Sequence, residues 1–180
     1  MRKLSMDELN RLSVDDYRKA IKLPVVVVMD NIRSMNNIGS VFRTADAFRI
    51  KKIWLCGISA TPPHREIHKT ALGATESVDW EYTDETLTAI ESLIKEGFTI
   101  LSVEQTENSI PLQEFRFAKD KCYAFVFGNE VKGVDQKVIN ASHGCIEIPQ
   151  SGTKHSLNVA VSAGIVLWEL YKPVITNLKT

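Results

Sequence analysis

Short runs of β-branched and aliphatic residues alternate along this chain with stretches whose apolar positions recur every three or four residues. That alternation predicts an α/β domain with a largely parallel sheet flanked by helices. The expected strands cover 25–29, 53–56, 98–103, 123–127 and 145–148, with a weaker one over 78–82. Helical spacing covers 39–48, 86–95 and 156–171, with Thr83 or Asp84 able to cap the second and Ser156 near the start of the third. Before Pro24, Ser5-x-x-Glu8 has the spacing of a capping box and Ser13 offers another N-cap, so one or two short helices are expected there. The last helix is apolar on nearly every side, from Leu157 and Val159 through Ala163, Ile165 and Val166 to Trp168. Such a helix must be covered all round, either by sheet and neighbouring helices or by a second copy of the chain, which makes a homodimer the expected assembly.

A length of 180 residues fits one domain. The expected division is a helical N-terminal extension over 1–23, a main domain over 24–172 and a short tail over 173–180. Formal charge is zero, yet residues 76–107 hold nine acidic residues and one lysine, so the remainder is basic. Arg33, Arg43, Arg49, Lys51 and Lys52 fall close together, opposed only by Asp30 and Asp46, and form a candidate face for a polyanion. Cys56, Cys122 and Cys145 are odd in number, widely spaced and set in apolar runs, which predicts buried thiols in a reducing compartment. The N-terminus carries no secretory pattern and the longest apolar stretch falls short of the ~20 residues a bilayer span needs, so a cytoplasmic protein with no membrane partner is expected.

Several familiar sites are missing. No Gly-x-Gly-x-x-Gly follows the first strand, which argues against a nicotinamide-dependent dehydrogenase. Gly128 and Gly133 have phosphate-loop spacing, but Val134 and Asp135 stand where Lys and Ser or Thr are required. His64-x-Glu66-x-His68 matches neither orientation of the zinc-protease helix and reads as a polar surface turn, so no metal is expected. His155-Ser156 lacks the glycines of a nucleophile elbow.

Three islands carry the positive signal: Asn37-x-Gly39-Ser40-x-x-Arg43-Thr44-Ala45, Phe127-Gly128-Asn129-Glu130 with Gly133, and Ile148-Pro149 leading to Ser156-Leu157-Asn158. With Thr70-Ala-Leu-Gly-Ala74 between them, they resemble the motifs of the SpoU/TrmH family of RNA ribose 2′-O-methyltransferases, within the SPOUT class. The resemblance runs from Pro24 to Tyr171. It implies S-adenosyl-L-methionine as methyl donor, an RNA ribose hydroxyl as acceptor, with tRNA favoured over rRNA, and a C-terminal trefoil knot. By the same carry-over the donor is cradled by Val103 and Glu104, by Phe127, Gly128 and Asn129, and by Ile148, Pro149, Ser156 and Leu157. Arg43, Asn37, Glu130, Ser156 and Asn158 are implied at the catalytic centre. Glu130 is expected to hold Arg43 or Asn37, while Ser156 has the alternative of capping the last helix.

Arginine titrates above ~12, so Arg43 is expected to act as a cation on the RNA phosphate and the developing alkoxide, with phosphate or solvent taking the proton. The expected reaction is one in-line displacement at the sulfonium methyl, driven mainly by alignment. Two departures from the family pattern flank the donor loops: Val131 stands in place of a glycine and Gln150 in place of a methionine. A catalytically silent RNA-binding module of the same fold remains the alternative.

Overall fold

Val25, Val26, Val27 and Val28 are each no more than 2% exposed. This strand is therefore buried on both faces, as a parallel strand roofed by helices on each side must be. The computed structural model describes residues 1–5, 7–118 and 120–173. Along them run a 3-10 turn (Asp7–Leu9), α1 (Val14–Lys19), β1 (Leu23–Asp30), α2 (Met35–Ala47), β2 (Ile50–Cys56), α3 (Arg65–Ala71), α4 (Ala74–Ser77) and β3 (Asp79–Thr83). Then follow α5 (Thr86–Lys95), β4 (Phe98–Val103), β5 (Ile110–Pro111), β6 (Cys122–Phe127), α6 (Gln136–Ala141), β7 (Gly144–Glu147) and α7 (Val159–Tyr171). The seven strands form one sheet in the order β3-β2-β1-β6-β4-β7-β5, every pairing parallel.

Side chains alternate across β1 into two cores. Val25, Val27 and Met29 join Phe42, Ile67, Phe125, Val166 and Leu167 on the side of α2, α3 and α7. Val26 and Val28 meet Ile90, Leu93 and Val138 on the side of α5 and α6. Cys56 sits in this second core beside Asp30 and Thr86; burial pushes its thiol up to about 12, leaving it inert at neutral pH. Cys145 is also buried and Cys122 half-buried, all three as free thiols.

All six expected strands are present, three of them longer by a residue or more, one with the expected bounds and two shifted by one residue, and the two-residue β5 is too short to leave a pattern. α2 starts at Met35 rather than 39, because the Ser34 hydroxyl accepts from Asn37 N at 3.3 Å and caps it there. α5 has the expected bounds, but neither Thr83 nor Asp84 caps it: Glu85 is the N-cap without a side-chain bond, and Asp84 accepts from the Tyr82 hydroxyl instead. α7 starts at Val159, capped not by Ser156 but by Asn158, whose Oδ1 accepts from Ala160 N at 2.9 Å. The three unexpected helices, α3, α4 and α6, have seven, four and six residues, too few turns for a 3.6-residue period to show. His64 caps α3 by accepting from Glu66 N, so the expected surface turn is a helix.

The capping box near the N-terminus forms, with Ser5 N donating to Glu8 at 2.6 Å, and Ser13 caps α1. The boundary expected at 23/24 falls inside β1, and Tyr17 of α1 is 5% exposed within the main core. Arg18 ties α1 to the Glu76 carbonyl at 2.6 Å. Apart from Pro173, the expected tail lies outside the described residues. Within one chain α7 is covered on one side: Ala163, Val166, Leu167 and Leu170 face inward, while Val161 and Trp168 are 50% and 46% exposed. Trp168 and Tyr171 cluster with Phe48 at the end of α2. No helix among the described residues is long and apolar enough to cross a membrane.

α2 and α3 touch through backbone at Gly39, where a Cβ would run into Thr70 Oγ1 and the Ile67 carbonyl. Gly39→Ala should gain ~1 kcal/mol of helix propensity but lose about 1–3 kcal/mol to overpacking. Thermal unfolding should show a lower midpoint for this variant; an equal or higher one would mean that the helices part freely.

Candidate active site

A cleft of about 1130 Å³ opens at the carboxyl ends of β4, β6 and β7, the edge of an open α/β sheet where ligands bind. Its walls come from residues 103–108, 127–134, 144–148 and 155–159. The turn after β6 makes this possible by folding flat upon itself: a Cβ at Gly128 would strike Gly133 and Val134 N, and Gly133 has a φ of +71° that favours glycine. Asn129 pins the turn, its Oδ1 accepting from Val131 N (2.9 Å) and Lys132 N (3.1 Å) while Nδ2 donates to the Asn31 carbonyl at 2.7 Å.

Two carboxylates tie this turn to its neighbours. Glu104, at the end of β4, accepts from Val134 N at 3.0 Å and from Gln105 N at 2.9 Å. Glu130 reaches the start of α2 and accepts from Arg33 N (2.9 Å), Ser34 N (3.0 Å) and Asn37 Nδ2 (2.9 Å). Asn37 Oδ1 in turn accepts from Asn158 Nδ2 at 3.1 Å. Burial alone would raise the Glu130 pKa, but the Arg33, Asn37 and Ser34 donors together with its own amide outweigh it and hold the carboxyl below its ordinary value.

The structure thus joins Asn37, Glu130 and Asn158 into one hydrogen-bonded line, in which Glu130 holds Asn37 and not Arg43. Ser156 lines the cleft. Arg43 is exposed and stands apart, about 9 Å further along α2 than Asn37 and some 240° around it by helix geometry. Of the residues expected to cradle a donor, Val103, Glu104, Phe127, Gly128, Asn129, Ile148, Ser156 and Leu157 line the cleft, whereas Pro149 does not.

The five basic residues expected to form one face are strung out. Arg33 precedes α2 at the cleft edge of the sheet, while Arg49, Lys51 and Lys52 lie at the opposite edge, where β2 begins. Lys52 pairs there with Glu81 at 2.5 Å, across from β3. The separation arises because α2 runs back along the sheet for 13 residues, or about 20 Å.

Asp30 gave no sequence signal beyond ending an apolar run. It is 1% exposed and accepts from Thr86 Oγ1 (2.5 Å), Asn31 Nδ2 (2.9 Å) and Asp135 N (3.1 Å), fastening the β6 turn to α5 and β1. The acidity of the cleft as a whole was not foreseen: Glu104 and Glu130, both expected at the site, are joined in its lining by Glu107 and Glu147, against Lys132 and His155. That balance favours a cationic ligand over an anionic one. No group of three or more His, Cys, Asp or Glu with metal-binding geometry occurs among the described residues.

Comparison with known proteins follows the same segments. The family model described as the SpoU rRNA Methylase family matches residues 24–168. The tRNA (guanosine(18)-2′-O)-methyltransferase TARBP1 of Mus musculus is 28% identical over 147 residues, 81% of this chain and 9% of that protein. An uncharacterized tRNA/rRNA methyltransferase of Borreliella burgdorferi is 30% identical over 148 residues, 81% of this chain and 62% of that one. The solved AdoMet-bound rRNA methyltransferase from Sinorhizobium meliloti superposes with a TM-score of 0.78 at 24% identity, covering 86% of this chain and 61% of that one. The chain therefore spans less than two thirds of the length of each.

Because the Glu130 pKa is depressed, its stabilising contribution is full above the ordinary value of ~4.3 and is lost only as pH falls through the lower folded value. The stability gap between the protein and Glu130→Gln should stay constant from neutral pH to about 5 and shrink below ~4. A gap that closes already near pH 6 would contradict this. In Glu104→Ala, hydrogen exchange at the Val134 amide should accelerate about tenfold or more while central β1 amides keep their protection. Equal protection at Val134 in both proteins would show that the carboxylate is not its partner.

Proposed function

The chain belongs to the SpoU rRNA methylase family, and on that footing we propose that it methylates a ribose 2′-hydroxyl of RNA with S-adenosylmethionine as donor, tRNA being favoured over rRNA. The observation that carries the proposal is the Glu130–Asn37–Asn158 line at the mouth of a cleft built from glycine turns and apolar walls. The cleft fits the donor on three counts. Ile148 and Leu157 offer apolar surface for a purine, the close-folded turn at Gly128 and Gly133 brings main chain to the wall, and the surrounding carboxylates suit a ligand bearing sulfonium and ammonium charges. When bound, S-adenosylmethionine supplies a methyl group already activated by its sulfonium.

The chain's own residues then have to orient and acidify the acceptor. Glu130 fixes the Asn37 amide through Nδ2 and Asn158 fixes it through Oδ1, so Asn37 meets a ribose with its donor and acceptor sides already assigned. Ser156 and Asn158 flank the same mouth. Arg43 serves as a cation for the RNA phosphate and the developing oxyanion, while the proton leaves to phosphate or solvent. Because Arg43 stands off the line within one chain, its guanidinium is brought there by the RNA strand or by a second copy.

A homodimer built on the open side of α7 belongs to the same proposal: Val161 and Trp168 give that helix an apolar exposed face beside the Phe48 and Tyr171 rings. The knotted course of the C-terminal segment and a cytoplasmic location are further parts of it.

The test is methyl transfer from labelled S-adenosylmethionine to RNA from cells lacking this protein, read as alkali-stable dinucleotides. Arg43→Ala should lose about 10²-fold or more in kcat with donor affinity unchanged, and Arg43→Lys should retain part of that rate if charge alone is needed. Label appearing on a base, or full activity in Arg43→Ala, would overturn the assignment.

A further inference from the structure

A second, smaller recess of about 330 Å³ shares Glu130 and Val131 with the cleft and is completed by Arg33 and Ser34. Whatever occupies it lies against the carboxylate that holds Asn37. Two of its side chains have no use in the fold. Arg33 is exposed, and its guanidinium makes no salt bridge among the described residues; only its main-chain amide is engaged, by Glu130. Val131 is 74% exposed at the tip of the β6 turn, yet held in place because its amide is tied to Asn129. A single exposed valine is unremarkable on a protein surface. An exposed valine fixed beside an unpaired arginine, at the rim of an acidic cleft, pairs an apolar platform with a cation.

The large cleft is a poor place for phosphate, since four carboxylates face it against Lys132 and His155. A ligand with an anionic group next to a flat apolar face therefore finds its complement in the smaller recess. Glu130 adds no free demand of its own there, because main-chain amides and Asn37 already occupy its oxygens.

Resting on the RNA methyl-transfer reading above, we propose that this recess seats the acceptor nucleotide, with Arg33 on its phosphate and the Val131 side chain against the face of its base. Arg33 supplies affinity without reading sequence, as a phosphate contact does. Val131 contributes an apolar contact that bears on which base is tolerated.

The experiment is steady-state methylation of RNA from cells lacking this protein by the full chain and by its Arg33→Ala, Arg33→Glu and Val131→Gly variants, with donor affinity measured separately by calorimetry. Arg33→Ala should raise the RNA KM about tenfold and lower the salt slope of RNA binding by about one, and Arg33→Glu should raise KM further. Val131→Gly should raise the RNA KM several-fold. The two Arg33 variants should bind the donor as the unaltered chain does, which also reports that the turn is intact. Unchanged RNA KM in Arg33→Glu and Val131→Gly, alongside continuing methylation, would overturn the recess assignment alone. Loss of donor binding in the Arg33 variants would also overturn it, by showing that Arg33 shapes the cleft. Absence of methylation by the unaltered chain would instead sink the function on which the inference rests.

Discussion

The Glu130 carboxylate is the constraint on which the site depends. It stands at the end of a strand-to-turn passage and accepts hydrogen bonds from the first amides before α2, 97 residues away in sequence. A carboxylate there also meets the positive end of that helix. Parallel pairing of β1 with β6 brings the two segments side by side, and Glu130 converts that proximity into a fixed geometry. Through Asn37 the constraint passes to Asn158, which caps α7. One acidic side chain thus sets the relation between the β6 turn, the start of α2 and the start of α7.

Around that line, close backbone approach and charge divide the work. The turn at Gly128 and Gly133 admits no side chain, so the cleft wall there is main chain, braced from β4 by Glu104 and from β1 by Asp30. The lining is acidic, whereas the exposed Arg33 stands at the rim and Arg43 on the outer face of α2. Such a partition suits the proposed reaction, in which a cationic donor and a polyanionic acceptor meet at Asn37. The open apolar strip on α7 gives the domain a surface that a second copy can cover.

Much of the fold was legible because parallel strands buried on both faces write themselves as β-branched runs, and β1, β4 and β6 did so. α3, α4 and α6 escaped because each is shorter than two full turns. The start of α2 was misjudged because Ser34 caps it ahead of a polar first turn, Asn36 and Asn37, that interrupts the apolar period. The site residues were visible as motifs, but their wiring was not: nothing in the order of residues tells that Glu130 selects Asn37 over Arg43. The basic cluster was close in sequence and dispersed in space, since a helix of 13 residues carries its two ends to opposite edges of the sheet. Asp30, the brace from Glu104 to the Val134 amide and the overall acidity of the lining emerge only when strands ordered by crossovers bring their ends together.

The central claim is that one cleft, held by Glu130 and Glu104, receives S-adenosylmethionine. Amide chemical-shift mapping during titration with that compound tests it most directly. Saturable shifts should be confined to residues 103–108, 127–134 and 144–159, with β2 and β3 unmoved. Saturable shifts centred elsewhere, or none at millimolar donor, would contradict it.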